Sequence, residues 1–134
     1  MNTSGMSTVQ KITVGFGVVY VLIGILGFIP GITQATAVPG QGLLLGIFAV
    51  NLIHNIAHLL LGAILVVGGM SAANVIMTNK AMAVIFAVLV VGSFIAPIVE
   101  GVAINPPDTL LHLVSMLLTG YLGFMAKSPA MRTA

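Results

Sequence analysis

Two short stretches of the chain, FAVNLIHNIAHL and VAINPPDTLLHL, carry most of the side chains that could do chemistry. The first contains His54 and His58, and the second contains Asp108 and His112. Three imidazoles and one carboxylate are a sufficient ligand set for zinc, iron or manganese. Alternatively, His58 and His112 could be the axial ligands of a haem, or each could hold a chlorophyll-type pigment.

The composition places these polar residues in a lipid bilayer. Of the 134 residues 59% are hydrophobic and 4% are charged, and the mean hydropathy is +1.22. A water-soluble chain of this length could not bury so many apolar side chains. The absence of cysteine excludes thiolate ligands. The net charge of +2 is too small for a nucleic-acid-binding patch, so nucleic acid is not an expected partner.

Four apolar stretches are long enough to cross a bilayer as helices, which takes about 20 residues each. They contain no charged residue and cover roughly residues 12–29, 51–70, 81–99 and 109–126. The sequence therefore predicts an all-α membrane protein, a bundle of four transmembrane helices in a single domain spanning residues 1–134.

The remaining apolar and glycine-rich positions have structural interpretations. Small residues such as Gly15, Gly24 and Gly62 should let helix backbones approach one another closely. The segment GQGLLLG, residues 40–46, opens no basic site and is expected to form an interfacial turn or a short helix.

The two polar stretches align at a constant offset, with positions 48–59 set against positions 102–113. The identical pairs are Ala49 and Ala103, Asn51 and Asn105, His58 and His112, and Leu59 and Leu113. His54 stands opposite Asp108. This pattern predicts two helical hairpins in the same orientation, a parallel repeat related by a pseudo-twofold axis along the membrane normal.

The start of the fourth span explains how the polar residues are positioned. Asn105, Pro106 and Asp108 are typical of a helix N-cap, first position and first turn. By the repeat, Asn51 caps the second span. If the axis runs between the second and fourth helices, the two polar faces converge near the outer end of the bundle. The expected cluster consists of His54, His58, Asp108 and His112, with Asn55 close by and with Asn51 and Asn105 in support.

The four cations predict how the chain is oriented. They are Lys11, Lys80, Lys127 and Arg132, and an even-numbered topology places all of them on one side. Because an excess of Lys and Arg marks the cytoplasmic side, both termini should be cytoplasmic. The histidine cluster then lies towards the opposite, outer face.

At FAVNLIHNIAHLLLG and DTLLHLVSMLLTG the chain resembles an uncharacterised family of small bacterial membrane proteins with four predicted helices. That family is marked by N-x-x-H-N-x-x-H-L in the first half and by N-x-x-D-N-x-x-H-L in the second. The first motif matches fully, whereas Thr109 replaces the second asparagine, so that this chain reads N-x-x-D-x-x-x-H-L. The resemblance covers most of the chain and implies a multi-pass protein of the bacterial cytoplasmic (inner) membrane.

Three functions remain open for the cluster. The histidines could hydrogen-bond one another, Asn55 and Asp108 and so lock the hairpins together. They could hold a metal, haem or pigment, within a subunit that associates with other membrane proteins or with its own copies. The third function is a stand-alone ion, proton or metal transporter, which a polar path continuing inward would favour. Catalysis is not expected, because the chain has no nucleophile elbow and no phosphate-binding glycine loop.

The position of the histidines along the second span predicts how much each contributes. His54 should lie one turn nearer the outer surface than His58. Since water can replace a lost partner there, removing His54 is expected to have the milder effect.

Overall fold

The computed structural model describes residues 5–95 and 101–127 and is mostly helical. The long helices are α1 (Thr8–Leu26), α2 (Leu52–Met70), α3 (Val75–Phe94) and α4 (Pro106–Gly120), and a π-helical turn (Tyr121–Met125) continues α4. By length and hydropathy each of the four could cross a membrane, counting the π-helical turn with α4. The predicted four apolar helices are confirmed, and the chain is a multi-pass membrane protein.

The N-terminal end of α1 and the N-terminal end of α3 extend beyond the predicted spans. α1 begins at Thr8, because Ser7 accepts a hydrogen bond from Gln10 N at 3.3 Å and Gln10 Oε1 accepts one from Ser7 N at 3.1 Å. This capping box adds a turn that contains Lys11. α3 likewise begins at Val75, before the charged Lys80. Hydropathy alone detects the apolar part of a helix, whereas the helix can start before that part, at a capping box in α1 and without a side-chain cap in α3.

The expectation of an all-α fold is wrong in the segment between α1 and α2. This segment forms a three-stranded antiparallel sheet in the order β1 (Thr33–Ala35), β2 (Gln41–Leu44) and β3 (Phe48–Asn51). Gly42 and Leu44 are buried, whereas Gln41 is exposed. GQGLLLG is therefore largely a strand with two-residue alternation, and not the predicted turn or short helix.

A tight turn explains why this short segment can fold back on itself. Leu45 and Gly46 have φ angles of 55° and 73°, which place both in the left-handed region. Two consecutive residues of this kind match the right-handed twist of a hairpin, and the second is a glycine. The turn pairs Leu44 with Phe48 and so brings β3 directly to the start of α2.

The two halves of the chain each form a closely packed helical pair, α1 with α2 and α3 with α4. Gly17 and Gly62 touch across α1 and α2, where an added Cβ at either position would lie under 3.0 Å from the other's carbonyl oxygen. Gly24 also packs against α2, as predicted for Gly24 and Gly62. The prediction for Gly15 is wrong, because nothing lies within 4 Å of a Cβ added there.

Apolar side chains fill the middle of the bundle and cover its outside. Tyr20, Leu65, Met82 and Phe86 are fully buried and pack together as one core. Many other large apolar residues on the helices are more than one-third exposed, as expected for surfaces that contact lipid. Pro97, Glu100 and Arg132 lie outside the described residues.

Candidate functional site: a buried histidine and aspartate cluster

The helices that carry the cluster begin as predicted. Asn51 Oδ1 accepts a hydrogen bond from His54 N at 2.9 Å, which caps α2. Asn105 Oδ1 accepts one from Asp108 N at 3.3 Å, and Asp108 Oδ2 accepts one from Asn105 N at 2.9 Å. These bonds fix the first turns of α2 and α4, and thereby the positions of His54 and Asp108.

Both capping asparagines also bind the other half of the chain. Asn51 Nδ2 donates to the carbonyl oxygen of Gly101 at 2.7 Å, and Asn105 Nδ2 donates to that of Ile47 at 2.8 Å. Ile47 and Gly101 are themselves separated by the same offset as the two asparagines. Each cap therefore ties the start of its helix to the segment that precedes the other helix.

His54 and Asp108 form a second pair of such bonds. His54 Nδ1 lies within hydrogen-bond distance of the carbonyl oxygen of Ala103, and Ala49 N donates to Asp108 Oδ2 at 3.1 Å. Because a carbonyl oxygen only accepts, Nδ1 of His54 carries a proton. Ala49 and Ala103 are again matched positions of the two aligned stretches.

The free edges of the two side chains face one another. His54 Nε2 lies 3.9 Å from Asp108 Oδ1, which is longer than a hydrogen bond but close enough for an ion pair. His54 is 3% exposed and Asp108 is 1% exposed. The expectation that His54 lies near enough to the surface for water to replace its partner is therefore wrong. A proton on Nε2 would create a buried ion pair.

His58 and His112 approach one another across α2 and α4, but they do not use all of their nitrogens. Their ring centroids are 6.1 Å apart, and both residues are buried. Both ring nitrogens of His58, and Nδ1 of His112, have no hydrogen-bond partner in the described structure. The cluster of His54, His58, Asp108 and His112 is therefore brought together, but not as a network of mutually bonded histidines.

Ring stacking holds His58 in place. Its ring lies 4.7 Å from that of Tyr20 at an interplanar angle of 9°, and 4.8 Å from that of His54 at 13°. Aromatic faces of this kind attract one another without directing the ring nitrogens at any partner. Contacts of ring faces, more than hydrogen bonds, set the orientation of His58.

This stacking bears on which residues could share a metal ion. An ion bound to an imidazole lies near the plane of that ring, and two nearly parallel stacked rings have no common point of this kind. His54 and His58 therefore cannot both bind one ion in the observed arrangement. Within residues 5–95 and 101–127 no three His, Asp or Glu side chains are grouped so that they could hold a metal ion. The pairing of His58 and His112 as axial ligands stays a prediction.

A stripe of buried polar residues runs along α4 from the cluster towards the other end of the helix. Asp108, His112, Ser115 and Thr119 are spaced by three or four residues, so they share one face. Their exposed fractions are 1%, 4%, 0% and 0%. At 1.5 Å per residue the stripe extends over about 16 Å, which is more than half of the hydrocarbon thickness.

The hydroxyl groups of the stripe are hydrogen-bonded. Tyr20 Oη and Ser115 Oγ are 2.6 Å apart. Ser115 Oγ donates to the carbonyl oxygen of Leu111 at 2.7 Å, and Thr119 Oγ1 donates to that of Ser115 at 2.7 Å. Tyr20, which stacks on His58, therefore connects the ring cluster to the hydroxyl part of the stripe.

A further buried polar group lies near the N-terminal ends of α1 and α3. Asn79 Nδ2 donates to Thr13 Oγ1 at 2.8 Å and to the carbonyl oxygen of Val75 at 2.8 Å, and its Oδ1 has no described partner. Gln10 Nε2 donates to the carbonyl oxygen of Met70 at 3.1 Å. Sequence reasoning missed this group, because Gln10 and Asn79 fall just outside the predicted spans. An asparagine beside an apolar run was the available signal.

Asn55 lies in the first turn of α2 and contacts the end of α1. It is 4% exposed, and its amide lies directly over Gly27, where any added side chain would overlap it. The Asn55 amide thus lies against the end of α1.

Comparisons with known proteins identify a family but no characterised relative. The search of curated proteins and the search of solved structures each gave no match. Residues 10–125 match the family described as a domain of unknown function, DUF4383. This match covers the whole polar cluster and all of the four helices except the first two residues of α1, and the chain therefore belongs to the DUF4383 family.

Proposed function

We propose that this protein moves protons across its membrane, and that the polar stripe of α4 lines the path. The observation that carries the proposal is the burial of Asp108, His112, Ser115 and Thr119 on one continuous face of a membrane-spanning helix. Ionisable and polar groups are costly to place at this depth, and their usual positions are proton or ion pathways. The polar groups Thr13 and Asn79 extend the same pattern towards the inner end of the bundle.

The outer cluster supplies the groups that would accept a proton. His54 Nε2 and Asp108 Oδ1 face one another at 3.9 Å. A proton bound to either atom would therefore strengthen the attraction between the two side chains. His58 and His112 each hold at least one buried nitrogen that has no hydrogen-bond partner within residues 5–95 and 101–127. Protons would pass from these imidazoles to the Tyr20 and Ser115 hydroxyls, and beyond them through water linking Thr119 to Asn79.

The geometry supports this function better than the two alternatives. A purely structural lock would use the histidine nitrogens in hydrogen bonds between helices, but three of them have no partner among the described residues. A four-residue metal site would need His54 and His58 to converge, and they are stacked. A haem or pigment between His58 and His112 stays open, and the absorption spectrum and metal content of purified protein test for it directly.

We further propose that the two halves are a parallel repeat. The paired bonds of Asn51 with Gly101 and of Asn105 with Ile47 support an axis between α2 and α4. Two contacts between α1 and α3 support the same axis. They are Thr13 with Asn79 and Tyr20 with Phe86, and the two pairs have the same separation along the chain.

The two copies of the proposed repeat differ in the residues that would line the proton path. When the offset alignment is continued along the helices, Ser115 and Thr119 of α4 correspond to Leu61 and Leu65 of α2. Leu65 is fully buried in the apolar core. One copy therefore supplies the polar stripe, and the other supplies the packing that limits leakage.

The orientation and setting are part of the proposal. Lys11, Lys80 and Lys127 support cytoplasmic termini in a bacterial inner membrane, with the histidine cluster facing outward. The exposed apolar surfaces of the helices contact lipid, and part of them could contact other subunits or further copies of the chain.

Reconstituted vesicles test the function. Protein is placed in vesicles that contain a pH-sensitive dye, and a potassium diffusion potential drives protons inward. We expect acidification above that of protein-free vesicles. Thr119→Val removes a hydroxyl from the path while keeping the shape of the side chain, so it should lower the rate severalfold.

Thr109→Val is the matched control. Thr109 lies on the same helix and also hydrogen-bonds to the backbone, but it is off the polar stripe. This variant should conduct at the wild-type rate. Equal rates in Thr119→Val and wild type, or no flux above empty vesicles, would refute the proposed path.

A further inference from the structure

Asn55 has no role in the proposed proton path, although it belongs to the motif N-x-x-H-N-x-x-H-L in the first half of the chain. Its side chain is 4% exposed and has no hydrogen bond to a described residue. A buried amide is costly to desolvate unless it faces other polar groups, and the Asn55 amide borders a cavity that contains such groups.

The amide lines a cavity of about 340 Å³ at one end of the bundle. The walls are the residues that follow α1, the β1 and β2 hairpin, and the start of α2. Polar groups converge on it from Thr33, Gln41, Asn51 and Asn55, and every lining residue is uncharged. A volume of this size is at the lower end of the range for small-molecule sites.

The shape of the site depends on two glycines. A side chain at Gly27 would overlap the Asn55 amide, and a side chain at Gly42 would overlap Thr33. Both positions are on the cavity wall. Because these two glycines have no side chains, there is room for the Asn55 amide and for the cavity between it and the sheet.

The rim of the cavity is apolar. Phe28, Ile29 and Leu52 line it and are 47%, 38% and 61% exposed. These residues stand at the ends of membrane-spanning helices, where the polar and apolar parts of the bilayer meet. A ligand that approached from the membrane would keep its tail against this rim.

We infer that this cavity binds the head group of an uncharged amphiphile, one whose carbonyl oxygen accepts a hydrogen bond from the Asn55 amide. The lining offers neutral donors and acceptors and no counter-charge, so it selects against ionised head groups. A quinone and a monoacylglycerol share this chemistry. The inference is independent of the proton path, because Asn55 faces α1 and lies off the α4 stripe.

Native mass spectrometry of detergent-purified protein tests the inference with three probes that carry matched ten-carbon tails. They are decylubiquinone, monodecanoylglycerol and decanoate. We expect saturable binding of one molecule of at least one uncharged probe, and the preferred probe identifies the class of head group. Decanoate should bind more weakly, because the uncharged lining offers no counter-charge for its carboxylate.

Asn55→Leu removes the amide at similar volume and should weaken binding about three- to tenfold, the value of one neutral hydrogen bond. Asn74→Leu is the matched control, because Asn74 is exposed at the start of α3 and its side chain makes no capping bond. Should Asn55→Leu fail to fold, Ala35→Phe keeps the amide but fills the cavity from the sheet, and it should abolish binding.

Three results would overturn the inference. They are equal binding of decanoate, unchanged binding in the Asn55 or Ala35 variant, and binding that does not saturate, which would indicate adsorption to the apolar surface alone.

Discussion

At the scale of single residues, the histidine cluster contains buried nitrogen atoms that lower the stability of the fold but, in the proposed path, can bind protons. A buried nitrogen without a hydrogen-bond partner is destabilising, yet in the part of the chain that the structure describes His58 has two of them. The stacking on Tyr20 and His54 depends on a flat ring and not on the nitrogens. A substitution at His58 can therefore remove the ring nitrogens and keep the stacked ring.

His58→Phe should therefore abolish proton flux while leaving stability unchanged or raising it by about 1 kcal/mol, since the phenyl ring has no nitrogen to desolvate. Flux in vesicles and the midpoint of denaturation in detergent measure the two effects separately. A destabilised variant with normal flux would show that His58 has only a structural role.

His54→Phe should behave in the opposite way. It breaks the hydrogen bond to Ala103 and leaves that carbonyl oxygen without its partner. The variant should lose about 1 to 3 kcal/mol of stability. His54 thus becomes the more important of the two residues for folding, contrary to the expectation from sequence. Unfolding of both variants in the same detergent decides the order.

The sequence predicted the members of the cluster but not their geometry. Offset alignment identified His54, His58, Asp108 and His112, since polar residues are rare in apolar spans and their helical phase can be counted. Whether two imidazoles stack or hydrogen-bond depends on side-chain rotation and on a third ring, Tyr20, which lies on another helix. Spacing along one helix holds no information on that contact.

At the scale of the elements, glycines determine how closely α1 and α2 pack. A Cβ at Gly62 would lie 2.7 Å from the backbone oxygen of Gly17 and from the backbone nitrogen of Val21. Backbone atoms cannot move aside as a flexible side chain can. The contact therefore cannot accept even one methyl group without separating the helices.

Gly62→Ala should destabilise the protein by about 1 to 3 kcal/mol, the usual effect of overpacking. Gly15→Ala is the control on the same pair of helices, because the space around Gly15 is open. The control should be neutral or slightly stabilising, since alanine favours a helix. If both variants unfold at the same point, the helices are not in the close contact described here.

Helix starts could be predicted because their signals are local. The Asn105 cap and the first-turn Asp108 are close together in sequence, and the structure has them as expected. The β-sheet could not be predicted in the same way. Its strands are three or four residues long, and its register depends on the positive φ angles at Leu45 and Gly46. An apolar, glycine-rich segment is equally compatible with a turn or a short helix.

At the scale of the whole molecule, hydrogen bonds between the two halves of the chain hold together the end of the bundle at which α2 and α4 begin. Asn51, Asn105, His54 and Asp108 each bind backbone of the opposite half. The core of Tyr20, Leu65, Met82 and Phe86 lies deeper. The offset alignment predicted that the two halves contact one another at the polar residues. It did not predict that these side chains hydrogen-bond to backbone groups of the opposite half.

The direction of the chain across the membrane decides which solution the cluster faces, and it is open to direct test. The sheet segment and the α2–α3 connection lie at opposite ends of α2. Ala37 and Ala72 are exposed in these two places, and the chain has no cysteine of its own. Ala37→Cys and Ala72→Cys are therefore equivalent substitutions that give each variant one accessible thiol.

In intact cells an impermeant thiol reagent should label Ala37→Cys and leave Ala72→Cys unlabelled until the membrane is opened, because Lys11, Lys80 and Lys127 favour the cytoplasmic side for the end that bears Ala72. Labelling of both variants from outside would contradict a membrane-spanning α2. The reverse pattern would keep the bundle but turn it over, and would place the His54 and Asp108 pair at the cytoplasmic face. In the proposed path protons would then enter from the cytoplasmic side, because the polar stripe of α4 begins at the His54 and Asp108 pair and ends at Thr119. The result of the vesicle experiment would be interpreted in that direction.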